Sequence, residues 1–175
     1  MGLADWWYVF QTTRLSKPAE DRVLFRATAN RKIQSVLEAG LGDGSRCDRL
    51  LQWLEHHDSI PTRYAAIDQF EAGGGISLKQ FHAKLTGLGI KPMPVPGNLA
   101  TGLPRVAHTI GAVDLLILDQ DRDGLSDPSI QNFLPRVVHS DTIVIATDSQ
   151  TNNLYLIDPS ELAGEIASSP LQAAA

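Results

Sequence analysis

Cysteine is almost missing. Cys47 is the only one in 175 residues, so no internal disulfide can staple the fold, and its place among apolar residues suits a small core filler better than a reactive thiol. No apolar stretch approaches the roughly 20 residues of a membrane-spanning helix. The opening residues lack the charged start and long apolar centre of a signal peptide, so the expected compartment is the cytoplasm and no membrane partner is expected. Basic clusters are missing too. Lys and Arg number 15 against 20 Asp and Glu, a formal charge of -5, whereas a general nucleic-acid binder carries a basic stripe. With 43% hydrophobic and 20% charged residues, neither a disordered nor a collagen-like chain fits. Aromatic residues are only 6%, yet Trp6, Trp7, Tyr8 and Phe10 fall close together. Such a cluster is expected to pack on the domain, with a lid or a dimer contact as alternatives.

What is present is organised around residues 36–44, V-L-E-A-G-L-G-D-G. An apolar run ending in an acid and followed by alternating glycines fits a buried strand that turns sharply into a helix. Glycine admits positive φ and lets a ligand approach the backbone, while the N–H groups opening the helix point into the turn. Glu38 at the strand end would accept hydrogen bonds and favour a cationic or hydroxyl-bearing ligand over a bare phosphate.

Before this turn, residues 16–30 read as a helix with Ser16 as its cap and Pro18 in its first turn. After it, Cys47, Leu50, Leu51 and Leu54 recur at helical spacing over 45–57. Residues 63–68 form the second strand, ending at Asp68, 24 residues beyond Gly44. A flexible loop is expected at 71–75. Ser77 and Gln80 have the spacing of a capping box for the next helix. The third strand, 91–95, carries prolines suited to an edge. Thr101 is expected to cap a helix to 110, and 113–118 is apolar enough for a central strand ending at Asp119. A helix from Asp127-Pro128, shortened at Pro135, precedes strands at 142–146 and 154–157 and a short helix from Asp158-Pro159. The tail from Ser168 should fray.

Strands alternating with amphipathic helices specify an α/β fold, a doubly wound and mostly parallel sheet with helices on both faces. One domain spans 1–175, with an N-terminal aromatic and helical extension over 1–31, a core over 32–167 and the tail beyond. Ligands of such sheets bind outside the strands' carboxyl ends, the edge where Glu38, Asp68, Asn98, Leu99 and Asp119 fall.

A dinucleotide turn would need glycine at position 45, where the chain has Ser45. Glycines at 40, 42 and 44 after an acid at 38 instead resemble motif I of class I S-adenosylmethionine-dependent methyltransferases. The resemblance continues over about 32–146, with an acid ending the second strand, Gly97-Asn98-Leu99 after the third, and 113–119, V-D-L-L-I-L-D, looking like the fourth-strand motif. It implies a Rossmann-like fold with a shortened C-terminal edge, S-adenosylmethionine as cofactor and methyl transfer to a small molecule. Gly40, Gly42 and Gly44 would face the methionine and ribose portion. Glu38 would support that turn or reach the amino group through water. Asp68 would take both ribose hydroxyls, Asn98 and Leu99 would flank adenine, and Asp119 would stand near the transferred methyl as the candidate catalytic residue. A non-catalytic binding or scaffold protein of this fold is the alternative reading, and a nicotinamide-dependent oxidoreductase the third. With room for only one strand and a short helix after the fifth strand, a second copy could cover the sheet edge, or a homodimer could form through the N-terminal aromatics.

Residues 119–127, D-Q-D-R-D-G-L-S-D, also resemble a calcium loop through Asp119, Asp121, Asp123 and Asp127, but position twelve is Ile130 rather than glutamate. Cation-dependent O-methyltransferases have an acid after the fourth strand and an Asp-Asn pair after the fifth. Asp119 and Asp148 resemble this, with Ser149 in place of the Asn. A divalent cation is therefore a secondary expectation, beside a plain solvated turn. His56, His57, His82, His108 and His139 form no metal spacing and no pattern with a nucleophile.

Overall fold

The computed structural model describes residues 3–15, 18–119 and 123–162. In order they form α1 (Leu3–Arg14), α2 (Asp21–Thr28), β1 (Ser35–Ala39), α3 (Ser45–His56), β2 (Arg63–Asp68), α4 (Leu78–Gly87), β3 (Lys91–Pro96), α5 (Leu99–Thr109), β4 (Leu115–Leu118), α6 (Pro128–Gln131), α7 (Leu134–Val137), β5 (Ile143–Thr147) and β6 (Leu154–Ile157). The strands form one sheet in the order β3-β2-β1-β4-β5-β6, parallel except for β6, which runs antiparallel to β5. Chain order reverses between β1 and β4, so a crevice opens where their carboxyl ends diverge, the switch point of an open α/β sheet.

Alternation along the strands builds two apolar layers. Val36, Tyr64, Ala66, Leu115 and Ile117 face α2, α3 and α4, around Leu50, Trp53, Leu54, Phe81 and Leu85. Leu37, Ala65, Ile67, Leu116 and Leu118 face α5 to α7, around Leu103, Val106, Ile130, Leu134 and Val137. Because both faces are covered, β1 and β4 are buried throughout, which is why they read as continuous apolar runs.

Several local expectations change. Helix α2 begins at Asp21, and Ser16, the expected cap, lies outside the described residues. Asn98, not Thr101, caps α5; its side chain accepts from the Thr101 N–H, because an Asx residue in extended backbone is the better cap. The helix expected from Asp127 is two short ones, interrupted before Pro135, which sits in the first turn of α7. The loop expected to be flexible opens as a 3-10 turn, Phe70–Gly73, anchored by buried Phe70, and Gly75 then packs against the Gly42 carbonyl. The Ser77 and Gln80 capping box is present. Residues 159–162 are helical behind Asp158, whose carboxylate accepts from the Ser160 N–H; the expected frayed tail lies outside the described residues.

The edges of the sheet differ. Edge strand β3 carries Pro92, Pro94 and Pro96, which remove outward donors. Edge strand β6 has no proline and leaves Leu156 exposed. Of the aromatic cluster, Tyr8 stacks near Trp53 and His56, whereas Trp7 and Phe10 stack on each other and stay largely exposed. No described helix is long and apolar enough to cross a membrane.

At the end of the sheet opposite the crevice, Asp114 ties β4 to β1. One of its oxygens accepts from the Gln34 N–H (2.9 Å), the Ser35 N–H (2.8 Å) and the Ser35 hydroxyl (2.8 Å). Partial burial pushes its pKa up, but these donors and nearby His139 outweigh that and leave it below the ordinary 3.8. Asp114→Ala is expected to cost about 1–3 kcal/mol near neutral pH, read by urea denaturation. A depressed carboxylate stabilises the fold above its unfolded pKa and loses that contribution as pH falls through its folded value. The gap between variant and wild type should therefore close below about pH 4; a gap that persists into strong acid would locate the effect elsewhere.

Candidate functional site

The turn after β1 is shaped by three glycines at positive φ: Gly40 (+83°), Gly42 (+59°) and Gly44 (+78°). Each serves a different need. At Gly40 a side chain would overlap the Cβ of Asp119, which follows β4 next door. At Gly42 a Cβ would meet nothing within 4 Å, so the space before it is open. Gly44 stands at the start of α3 and would crowd Ile76 at 3.2 Å.

Two clefts flank the contact between Gly40 and Asp119, and both residues line both clefts. The first, about 180 Å³, is walled by Ala39, Ile67, Asp68, Gln69 and Gly97-Asn98-Leu99. The second, about 230 Å³, runs along Leu41, Gly42 and Asp43 to Arg46 and Arg49, and is closed by Glu20 and Asp21 at the start of α2 and by Thr147, Asn152 and Leu154 of the last hairpin. The N-terminal extension thus contributes to the site itself. Asp21 is buried and ion-paired with Arg49.

Asp68, Asn98, Leu99, Gly40 and Asp119 are brought together as the sequence suggests, and Gly42 adjoins them. Asp68 Oδ2 accepts from the Gly42 N–H (3.0 Å) and Oδ1 from the Phe70 N–H (2.5 Å). The carboxylate therefore fastens the glycine turn to the end of β2 while each oxygen keeps a second lone pair for a ligand hydroxyl. Asn98 spends its carbonyl on the α5 cap, which leaves its amide NH2 at the cleft wall. Asp119 is exposed and makes no side-chain hydrogen bond among the described residues.

Glu38 and Gly44 line neither cleft. The Glu38 carboxylate is fully buried, ion-paired with Arg46 (Nε to Oε1, 2.8 Å) and accepting from the Tyr64 hydroxyl. Arg46 also donates from Nη2 to the Gly40 carbonyl (2.9 Å). Of the two roles expected for Glu38, this geometry serves support of the turn. Burial alone would lower the Arg46 pKa; the Glu38 carboxylate outweighs it and holds the guanidinium above its ordinary value. Burial pushes Tyr64 well up and Cys47 to about 12, which keeps that thiol protonated. Arg46 was not anticipated from the sequence. The available signal was that an acid ending a fully buried strand requires a partner.

The N–H groups of the turn are largely spoken for. Gly40 donates to the Ile67 carbonyl, Gly42 to Asp68, Gly44 to the Leu41 carbonyl and Ser45 to the Asp43 carboxylate. That last bond heads the causes that lower the Asp43 pKa, so an anion already occupies the mouth of α3.

Two of the expected cation ligands serve their own turns. Asp127 caps α6 through the Ser129 N–H, and Asp148 accepts from Gln150 and Thr151 in the hairpin turn. Asp121 and the Asp123 side chain lie outside the described residues. Among the described residues no three His, Cys, Asp or Glu side chains are grouped to hold a metal.

No protein-family model and no curated protein matches the chain. Solved structures do. An O-methyltransferase from Bacillus cereus in complex with SAH superposes with a TM-score of 0.56 at 14% identity, over 97% of this chain and 81% of that one. An SAH-bound methyltransferase of Podospora anserina gives 0.55 and 14%, over 97% and 81%. The O-methyltransferase TomG of Streptomyces achromogenes, in complex with SAM, gives 0.54 and 13%, over 95% and 77%. Glycine turn, strand order and antiparallel last strand together place the chain in the Rossmann-like fold of the class I methyltransferases.

Proposed function

We propose that the protein binds S-adenosylmethionine and transfers its methyl group to a small molecule. The observation that carries this reading is the convergence of Gly40, the Asp68 carboxylate that fastens the glycine turn, and the Asn98-Leu99 turn on one open cleft at the sheet's switch point. The residues fit the group. Open space before Gly42 admits a ligand against the backbone, Asp68 retains lone pairs for two ribose hydroxyls, and buried Leu99 with Ile67 gives an apolar wall for adenine. The bound cofactor would supply a methyl group on a sulfonium, already activated for transfer. What the chain must do is hold an acceptor in line and exclude water, and Asp119, on the wall common to both clefts, is placed to orient it.

A specific observation separates this from a nicotinamide enzyme. A dinucleotide rests its pyrophosphate on the N–H groups of a glycine turn and helix N-terminus. Here those of Gly40, Gly42, Gly44 and Ser45 have acceptors within the protein, and Asp43 places a negative charge where a phosphate would lie. A sulfonium with a hydroxyl-bearing ribose suits that surface; a diphosphate does not.

Titration calorimetry with SAM, SAH and NAD tests the reading. Saturable SAH binding is expected, weakened about 10- to 100-fold by Asp68→Ala, since hydrogen bonds to a charged group contribute about 1.5–3 kcal/mol each. Binding of NAD alone would mark an oxidoreductase, and binding of none of the three a scaffold.

A further inference from the structure

Backbone hydrogen bonding leaves one edge of the sheet closed and the other open. On β3 the Lys91 N–H donates inward to the Thr62 carbonyl, so the alternating residues that face outward are Pro92, Pro94 and Pro96. No donor is offered there. On β6 the alternation is set by the Asp148 N–H on the Asn153 carbonyl (2.9 Å), with Ala146 opposite Tyr155 and Val144 opposite Ile157. Tyr155 and Ile157 therefore use their N–H and C=O groups on β5, and those of Leu154 and Leu156 face away from the sheet. Among the described residues no strand pairs with that side. The devices that keep an edge strand apart are missing too, since Leu154–Ile157 has no proline, no charged side chain and no bulge in its register.

We infer that this edge is the interface of a homodimer, in which β6 pairs antiparallel with β6 of a second copy about a two-fold axis at Tyr155. The free groups are self-complementary. With the axis there, Leu154 of each copy stands opposite Leu156 of the other, and each of these two pairs exchanges two hydrogen bonds. The ladder is bounded at both ends, by Pro159, which has no N–H, and by Asn152, whose φ of +56° bends the chain away. Pairing about one axis therefore closes the edge instead of propagating a filament. Leu156, 56% exposed, gains an apolar neighbour on one face of the joined sheet, while half-buried Tyr155 meets its own copy on the other.

Charge favours the same occupant. Leu156 shares a cleft of about 510 Å³ with Ala27 and Arg31, at the carboxyl end of α2. Glu20 lies on the same helical stripe as Ala27, seven residues earlier, at the amino end of α2. A two-fold axis through the sheet sets α2 antiparallel to its copy. The acidic end of each helix is then turned toward the basic end of the other, an arrangement that a second copy supplies without any new partner.

Sedimentation equilibrium of the full chain over a concentration series, with amide exchange read by NMR, tests the interface. A monomer–dimer equilibrium is expected, with exchange of the Leu154 and Leu156 N–H groups slowed at least threefold from the dilute to the concentrated end. The N–H groups of Tyr155 and Ile157, bonded within one copy, should stay protected throughout. Leu156→Lys brings two like charges beside the axis. Leu156→Pro gives β6 the outward-facing proline of β3 and removes no bond to β5. Each should weaken dimerisation at least tenfold without changing the circular dichroism of the monomer. Trp7→Ser, on the other exposed apolar patch, should leave dimerisation as it is. A chain that stays monomeric up to about 1 mM, or a dimer that Trp7→Ser dissociates and Leu156→Lys does not, would overturn the assignment. So would Leu154 and Leu156 N–H groups that exchange at one rate across the series: a slow rate would mean that the chain covers its own edge, a fast one that copies meet elsewhere.

Discussion

Replacing Arg46 with methionine should remove about 3–5 kcal/mol of folding stability, the usual consequence of deleting one partner of a buried ion pair. Methionine roughly replaces the stem but leaves the Glu38 carboxylate, with no exposure, facing only the Tyr64 hydroxyl. The Gly40 carbonyl loses its donor as well. The loss is assigned to the stranded charge, not to packing, by adding Glu38→Gln. Glutamine keeps a carbonyl to accept from Tyr64, removes the charge and occupies nearly the same volume. Urea denaturation of the two single variants and the double should therefore show strong coupling, with the double more stable than Arg46→Met alone. Additive losses would mean that Glu38 and Arg46 act separately, and with that the clamp on the glycine turn would disappear.

This pair also marks the boundary of what could be read from the residues. The alternation of buried strands and amphipathic helices is set by local apolar periodicity, so the mostly parallel sheet covered on both faces and the boundaries of β2 and β6 follow from the sequence. The convergence of Gly40, Asp68, Asn98, Leu99 and Asp119 follows from the same source, because in a parallel sheet every strand delivers its carboxyl end to one edge. What periodicity does not carry is which group each polar side chain meets. Glu38 looks like a ligand contact until Arg46, eight residues later, is seen to return across the turn to meet it. Asp127 and Asp148 look like oxygen ligands but cap their own turns, because short acids beside prolines and hairpins satisfy nearby N–H groups first. The second cleft was hidden for a related reason. Its walls come from α2, the glycine turn and the β5–β6 hairpin, segments far apart in sequence with no shared motif.

The glycines of the turn permit a sharper experiment, since the structure assigns them unlike duties. Gly40→Ala should lower stability by about 2–5 kcal/mol. It combines a left-handed φ of +83°, costing about 1–3 kcal/mol for a residue with a side chain, with a Cβ that overlaps the Asp119 Cβ and lies 2.7 Å from its Oδ2, an overpacking cost of about 1–3 kcal/mol. Neither neighbour can yield easily, because Asp119 is held to β1 by its N–H on the Ala39 carbonyl (2.9 Å). Gly42→Ala should behave differently. Its φ is also left-handed, at +59°, but the added methyl meets no atom within 4 Å, so only a strain of about 1–2 kcal/mol is expected. That methyl enters the open space beside Gly42, where the proposed reading lays the ligand against the backbone. SAH affinity should accordingly fall at least tenfold in Gly42→Ala, a larger loss than its stability change predicts, while SAH affinity in Gly40→Ala can be measured only at temperatures where the variant remains folded. Thermal unfolding and calorimetry on the same samples separate the two effects. A Gly42→Ala protein that binds SAH as wild type does would show that the open space before this glycine is not where the adenosyl ligand lies.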